Sequence, residues 1–210
     1  MVKHDLVLFD LDGTLLDTSL GIFHSVRYAE KKMGFEAIGD KQLVQFIGPP
    51  PKMVYKKLYN ISDEDALKAT KYHREYGMGQ AIYEAKVYDN IVEILKYIKS
   101  GKAKIGVTTL KTQNIAEKIL DNVGIGRLFD VIIGMDESES LTKCDIIKLA
   151  INRTSTTGSV LMVGDSQYDY DGAMNAGIEF IGVLYGFGFE RGKQYPFKTV
   201  ESVKELLNYV

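Results

Sequence analysis

Four aspartates and a lysine are the residues best suited to chemistry in this chain. Asp10 and Asp12 stand two apart in "LVLFDLDGTLLDT" (Leu6 to Thr18), and Asp165 and Asp169 stand four apart in "GDSQYD". Aspartate is depleted in strands, and two carboxylates about 4 Å apart repel by roughly 4 kcal/mol at an effective dielectric near 20. A hard cation offsets that repulsion. Mg2+ takes oxygen ligands in near-octahedral geometry, commonly one or two carboxylates with a substrate phosphate. Asp10, Asp165 and a backbone carbonyl could be the protein's share of such a shell. Lys143, in "SLTKCD" ahead of a helix, could bring the complementary positive charge. Thr109 and nearby backbone N–H groups could hold phosphate oxygens. Any single Asp-Gly or Gly-Asp pair could instead only cap a helix or make a turn. Repetition of the theme at several strand ends weakens that reading, because charges there are costly unless paired or metal-bound.

These residues meet only if the elements bearing them share one rim. "DLVLFD" is a short apolar run closed by an Asp-Gly turn, as expected of a strand buried on both faces. Similar runs cover Ala103 to Leu110, Phe129 to Asp136, Ser159 to Ser166 and Phe180 to Gly186. Helical patterns separate them: "TQNIAEKILDNVG", with Ile115, Ile119, Leu120 and Val123 on one face and a stop at Gly124, then "KCDIIKLAINRT" and "YDGAMNAG". The alternation predicts an α/β fold, a Rossmann-like parallel sheet with helices on both faces. In such sheets ligands bind outside the carboxyl ends of the strands. Asp10 and Asp12, then Thr108, Thr109 and Lys111, then Asp165 all fall at such ends. From about Leu20 to Ala85 the alternation stops. Helix-like stretches such as "GIFHSVRYAEKKMGF" and "DEDALKATKYHREYGMGQAIYEA", interrupted by the "GPPP" turn at Gly48 to Pro51, predict an inserted helical domain. The expected division is a core of 1–16 and 86–210 with a helical cap of 17–85.

Bulk properties narrow the function. The 210 residues are 45% hydrophobic, enough for a full core, and the net charge of -2 offers no basic field for a nucleic acid polymer or an anionic membrane. The lone Cys144 cannot make an internal disulfide and reads as a small buried filler. No run of 18 apolar residues appears, and the short N-terminal apolar stretch is broken by acids, unlike a signal peptide. The expectation is a cytoplasmic protein, a monomer or weak homodimer, with a small phosphorylated metabolite as its partner. His4, His24 and His73 show no metal-ligand spacing and read as solvated or structural.

The ordered set "DLDGTLLDT", "VTTLK", Lys143 and "GDSQYD" resembles the four signatures of the haloacid dehalogenase-like hydrolase superfamily, across nearly the whole chain. The stretch "MVGDSQYDYDGAMNAGIEFIGVLYGFG" is similar to the phosphoglycolate phosphatase and 5'-nucleotidase-like branch, and the helical insert looks like that branch's small mobile cap. The resemblance implies Asp10 as a nucleophile forming an aspartyl-phosphate. It implies Asp12 as general acid and then base, a role that needs burial or a neighbouring negative charge to hold a proton near neutrality. It also implies Mg2+ on the Asp10 carboxylate, the Asp12 carbonyl and Asp165, with Asp169 ligating or orienting metal-bound water. Lys143 would steady Asp10 and the phosphoryl group, and Gly13 would let backbone approach the site. An aspartate at position 12 suits an alkoxide leaving group, hence phosphate ester hydrolysis. A phosphomutase retains the same pair, and a non-catalytic phosphate-binding module is the third reading.

One departure stands out. Lined up on Lys111, the second signature's hydroxyl is Thr109 and its usual Asn or Ser is Leu110, which keeps only a backbone N–H for phosphate. Lined up on the strand end, the hydroxyl is Thr108; the helix after Lys111 favours Thr109. Asp17 reads as a helix cap, and Phe46 and Ile47 as cap packing. Arg27, Lys52 and Lys57 are surface residues or readers of a second anionic group. Tyr185, Phe187 and Phe189 either flank the site or pack the core.

Overall fold

A computed structural model describes residues 2–210; Met1, which the expected core includes, lies outside the described residues. The elements in order are β1 (Leu6–Phe9), β2 (Leu16–Asp17), α1 (Ser19–Met33), α2 (Asp40–Leu43), α3 (Pro51–Tyr59), α4 (Asp63–Gly79) and β3 (Lys86–Val87). They continue with α5 (Ile91–Ser100), β4 (Lys104–Thr112), α6 (Gln113–Asn122), β5 (Val131–Met135), α7 (Lys143–Thr154), β6 (Val160–Gly164), α8 (Gln167–Ala176), β7 (Glu179–Val183) and β8 (Lys198–Val200).

Six strands form one sheet in the order β5-β4-β1-β6-β7-β8, and every pairing in it is parallel. β1 sits between β4 and β6, and all four of its residues are buried. Val7 and Phe9 pack on one face with α5 and α6, and Leu6 and Leu8 on the other with α7. That is the two-sided burial expected of a strand whose successive side chains alternate and whose faces are both covered by helices. The parallel sheet with crossover helices is the expected α/β fold. Four elements add to it. α5 buries Ile91, Ile94, Leu95 and Ile98 at helical spacing; β8 extends the sheet edge; β2 and β3 form a separate antiparallel pair, Leu16 opposite Val87 and Asp17 opposite Lys86.

The helices between β2 and β3 bury their own apolar cluster. Ile22, Val26 and Ala29 of α1 meet Val54 and Tyr55 of α3 and Ala66 and Ala69 of α4. The "GPPP" turn opens α3, with Pro51 at its first position, where a missing N–H leaves no helical bond unmade.

Candidate active site

The rim at the carboxyl ends of β1, β4 and β6 is built from three kinds of local geometry. After β1 the chain turns sharply: Leu15 and Leu16 N–H both return to the Leu11 carbonyl, and Gly13 takes a left-handed φ of +79°. A Cβ on Gly13 would lie 2.3 Å from Asp165 Oδ2, so only glycine allows this approach. At the end of β4 the ladder to β5 is irregular between Thr108 and Thr112, which lifts Thr109, Leu110 and Lys111 out of regular pairing. After β6, Asp165 leads into α8, whose N-terminus is closed by Asp169: its Oδ2 accepts the N–H of Ser166 at 3.0 Å and the hydroxyl at 2.6 Å.

Asp10, Asp165 and Asp169 converge there. Each is buried, and one oxygen from each lies within 4.8 Å of the others. Lys143, first residue of α7, reaches into the group. Its ammonium lies 2.5 Å from Asp10 Oδ1 and 2.6 Å from Asp169 Oδ1, and donates to the Thr108 carbonyl at 2.6 Å. Two of its protons make hydrogen bonds, to Asp10 and Thr108, while Asp169 Oδ1 is held by charge and is left without a hydrogen-bond donor. α7 is placed by a capping box between Thr142 and Asp145. Asp165 Oδ2 accepts the N–H groups of Phe187 at 2.8 Å and Gly188 at 3.3 Å, and the Thr14 hydroxyl reaches its Oδ1 at 3.3 Å. Asp12 turns away from this cluster: the Thr18 hydroxyl donates to its Oδ1, and Lys111 Nζ lies 3.1 Å from the same oxygen. Asp12 is therefore buried, as its expected role requires, but its nearest charged partner is a cation.

The electrostatics follow from burial. Loss of water pushes the Asp10 carboxyl well above the usual range; Lys143 opposes this, and Asp169, Asp165 and Asp12 reinforce it. Burial and repulsion from Asp169 hold Asp165 at about 7 despite the bonds from Phe187 and Gly188. Burial disfavours the Lys143 cation, but Asp10 and Asp169 outweigh it and hold its pKa above the ordinary lysine value. With Asp10, Asp165 and Asp169 all charged, Lys143 leaves two negative charges in the cluster uncompensated. An oxygen-only, buried, doubly negative donor set suits a hard divalent ion, so the residues fit Mg2+.

Of the two threonines at the β4 end, Thr108 aims its hydroxyl into the core at Met162 Sδ, 3.3 Å away. Thr109 Oγ1 accepts the Lys111 N–H at 3.1 Å, which keeps its own proton for another acceptor. Above Asp12 lies a cavity of about 50 Å3, with Leu110, Lys111, Thr112 and Ile115 on the sheet side and Ile22, Phe46, Pro49, His73 and Arg74 on the helical side.

Other expectations divide. Asp17 is not the cap of α1: it ends β2, one residue ahead of the cap position Thr18, and its carboxylate accepts the Ser19 N–H at 3.0 Å. Phe46 packs within the cap, 4.7 Å from the Tyr55 ring, and faces the cavity as well. Ile47 is buried in the same cluster. None of Arg27, Lys52 and Lys57 lines the cavity. Arg27 is bound to Glu30 and the Ile38 carbonyl, Lys52 lies 3.7 Å from Asp63, and Lys57 donates to Gln45. Cys144 is half-buried on α7 rather than buried. His24 meets Glu84 and His4 meets Glu179, while His73 is buried 3.2 Å from the Tyr55 hydroxyl. Tyr185 donates to the Thr14 carbonyl, Phe187 serves Asp165 through its backbone, and Phe189 packs in the core. The sequence pattern did not mark Thr18, His73 and Arg74 as cavity or acid partners, and it placed Lys111 at the rim without pairing it with Asp12. Thr18 lay within the quoted first stretch, but its bond to Asp12 depends on the turn that folds it back.

The haloacid dehalogenase-like hydrolase family profile matches residues 7–183. A 5'-nucleotidase from Pseudomonas aeruginosa is 32% identical over 191 residues, covering 90% of this chain and 86% of that protein. A phosphoglycolate phosphatase from Aquifex aeolicus is 25% identical over 203 residues, 96% of this chain and 94% of that one. The crystal structure of a predicted phosphatase from Clostridium acetobutylicum superposes with a TM-score of 0.88 at 34% identity, covering 98% of this chain and 97% of the other.

Proposed function

The chain belongs to the haloacid dehalogenase-like hydrolase family, and from that membership we propose that it is a Mg2+-dependent phosphatase that hydrolyses small phosphate monoesters through an aspartyl-phosphate on Asp10. The observation that carries the proposal is the convergence of Asp10, Asp165 and Asp169 with Lys143 at one buried rim.

Lys143 engages Asp10 Oδ1, so Oδ2 is the oxygen left to attack phosphorus. As the new P–O bond forms, the ester P–O bond breaks and its electron pair goes to the leaving oxygen, which takes the Asp12 proton. Asp12 then removes a proton from water, whose oxygen attacks the acylphosphate phosphorus. The bond to Asp10 breaks, freeing phosphate and restoring the carboxylate. The Thr109 hydroxyl, the Leu110 N–H and Gly13 are assigned to the phosphoryl oxygens. Asp10, Asp165, Asp169 and the Asp12 carbonyl would hold Mg2+, which would supply positive charge against carboxylates and phosphoryl group alike. The 17–85 segment acts as a cap that excludes water over Asp12.

The test is phosphate release from a panel of phosphorylated metabolites with Mg2+ and with a chelator. Turnover is expected only with the metal, and Asp10→Asn is expected to remove it by about 10³-fold or more with unchanged thermal denaturation. One tenth of the turnover surviving in Asp10→Asn refutes the nucleophile, and no release from any ester refutes the phosphatase.

A further inference from the structure

Arg74, on α4, lines two spaces at once: the cavity over Asp12 and an open groove of about 600 Å3 in which Lys52, Lys56 and Lys71 stand against Asp63, Glu137 and Glu139. Where the two meet, its guanidinium pairs with Glu139 of the loop after β5, an ion pair that joins the helical unit to the sheet unit. The pair is sheltered, with side chains 30% and 18% exposed. Glu139 holds its place from a left-handed φ of +54°, which disfavours a residue with a Cβ.

Charge in the cavity is unequally matched. Lys111 already faces Asp12. His73 adds no charge at neutral pH, since burial, aided by Lys111 and Arg74, pushes its pKa down to about 3. Among the described residues, the counterion of Arg74 is Glu139, which stands outside the cavity lining. A phosphoryl group at Asp10 and Thr109 directs the leaving part of the substrate over Asp12, toward Arg74.

We propose that Arg74 is a specificity-determining residue that binds an anionic group on the leaving part of the substrate, a carboxylate or a second phosphate, in exchange for Glu139. The inference rests on the phosphate-ester reading of the site. A guanidinium fork accepts either anion in bidentate geometry. Glu139 is then a placeholder that keeps the guanidinium paired between substrates. A neutral leaving group offers Arg74 nothing in place of Glu139 and gains nothing from the residue.

Calorimetric titration of the Mg2+-loaded protein with ligands that cannot be hydrolysed tests this without turnover. The probes are 3-phosphonopropionate, methylenediphosphonate and, as a neutral-tailed control, propylphosphonate. At least one of the doubly anionic ligands is expected to bind tenfold or more tightly than the control, and which one does so distinguishes carboxylate from phosphate. Arg74→Met is expected to shrink the preference below threefold, and Glu139→Gln to widen it. A wild-type preference under threefold, or one that survives in Arg74→Met, overturns the assignment. A Glu139→Gln variant with a narrower preference overturns the exchange. Binding selectivity that fails while phosphate is still released refutes this inference alone; absent phosphate release refutes the phosphatase reading instead.

Discussion

Replacing Asp165 by asparagine is expected to stabilise the metal-free protein and abolish its response to Mg2+. Asp165 titrates at about 7 in the fold against 3.8 for a free carboxyl. Keeping it ionised above pH 7 therefore costs the folded state roughly 4 kcal/mol. Asparagine removes that charge while its carbonyl still accepts the Phe187 and Gly188 N–H groups and its amide can donate to the Thr14 hydroxyl. The weaker, uncharged acceptor gives back about 1 kcal/mol. The net gain of roughly 3 kcal/mol corresponds to a Tm about 6–12 °C higher at pH 8 in a chain of this size. The sign follows from linkage. A carboxyl with a raised folded pKa binds its proton more tightly in the native state, so its cost is absent below about pH 4, grows between, and is complete above pH 7. The advantage of Asp165→Asn must shrink as the pH falls from 8 to 5. Mg2+ at a hundredfold excess over its Kd should stabilise the wild type by about 2.7 kcal/mol and the variant hardly at all. Differential scanning calorimetry in chelator and in Mg2+ reads each quantity. A lower metal-free Tm for the variant at pH 8, or an advantage that does not change with pH, refutes the account of the cluster as a repulsive group awaiting a cation.

Two further changes probe neighbouring parts. Lys143→Met strands the Asp10 and Asp169 carboxyls in the interior and is expected to lower stability in urea by roughly 3–5 kcal/mol without metal, with Mg2+ recovering part of the loss; an unchanged midpoint contradicts the ion-pair geometry. His73, whose pKa is depressed to about 3 in the fold, stays neutral there while the unfolded chain takes up a proton below pH 6.5. Stability should fall by roughly 2 kcal/mol between pH 6.5 and 5 on its account. The difference between wild type and His73→Gln in urea titrations across that range measures it, and a constant difference contradicts the buried, neutral ring.

Residues at strand ends were readable because chemistry and topology constrained them together. Asp10 and Asp165 follow apolar runs that can only be buried strands, and a parallel sheet brings such ends to one rim. Lys143 was readable as a positive charge beside a helix and as the third signature of the resemblance; the capping box of Thr142 and Asp145, which makes it the first residue of α7, is a feature of the structure. α5 was equally legible, with Asn90 three residues ahead of Glu93 and apolar residues at helical spacing, yet it was not picked out. β8 and the β2–β3 pair were not legible, because two or three residues carry no periodicity. Arg74 and Glu139 lie 65 positions apart, on units that pattern alone does not orient against each other. Lys111 illustrates the same limit: its place at a strand end was visible, but its turn toward Asp12 depends on the irregular ladder after Thr108. Arg27 shows the converse, a plausible anion reader whose charge is already spoken for by Glu30, 2.8 Å away.

The two-residue ladder between β2 and β3 has a consequence for how such a chain can change. Because Leu16 and Val87 face each other across one pair of strands, the polypeptide leaves the sheet unit and comes back at a single point. The strand registers are thus set outside whatever is strung between those positions, although Ile82 and Ala85 at its end reach into the sheet's own core. A short turn joining them would close the gap with little strain, and a different set of helices could be threaded in without disturbing a single strand register.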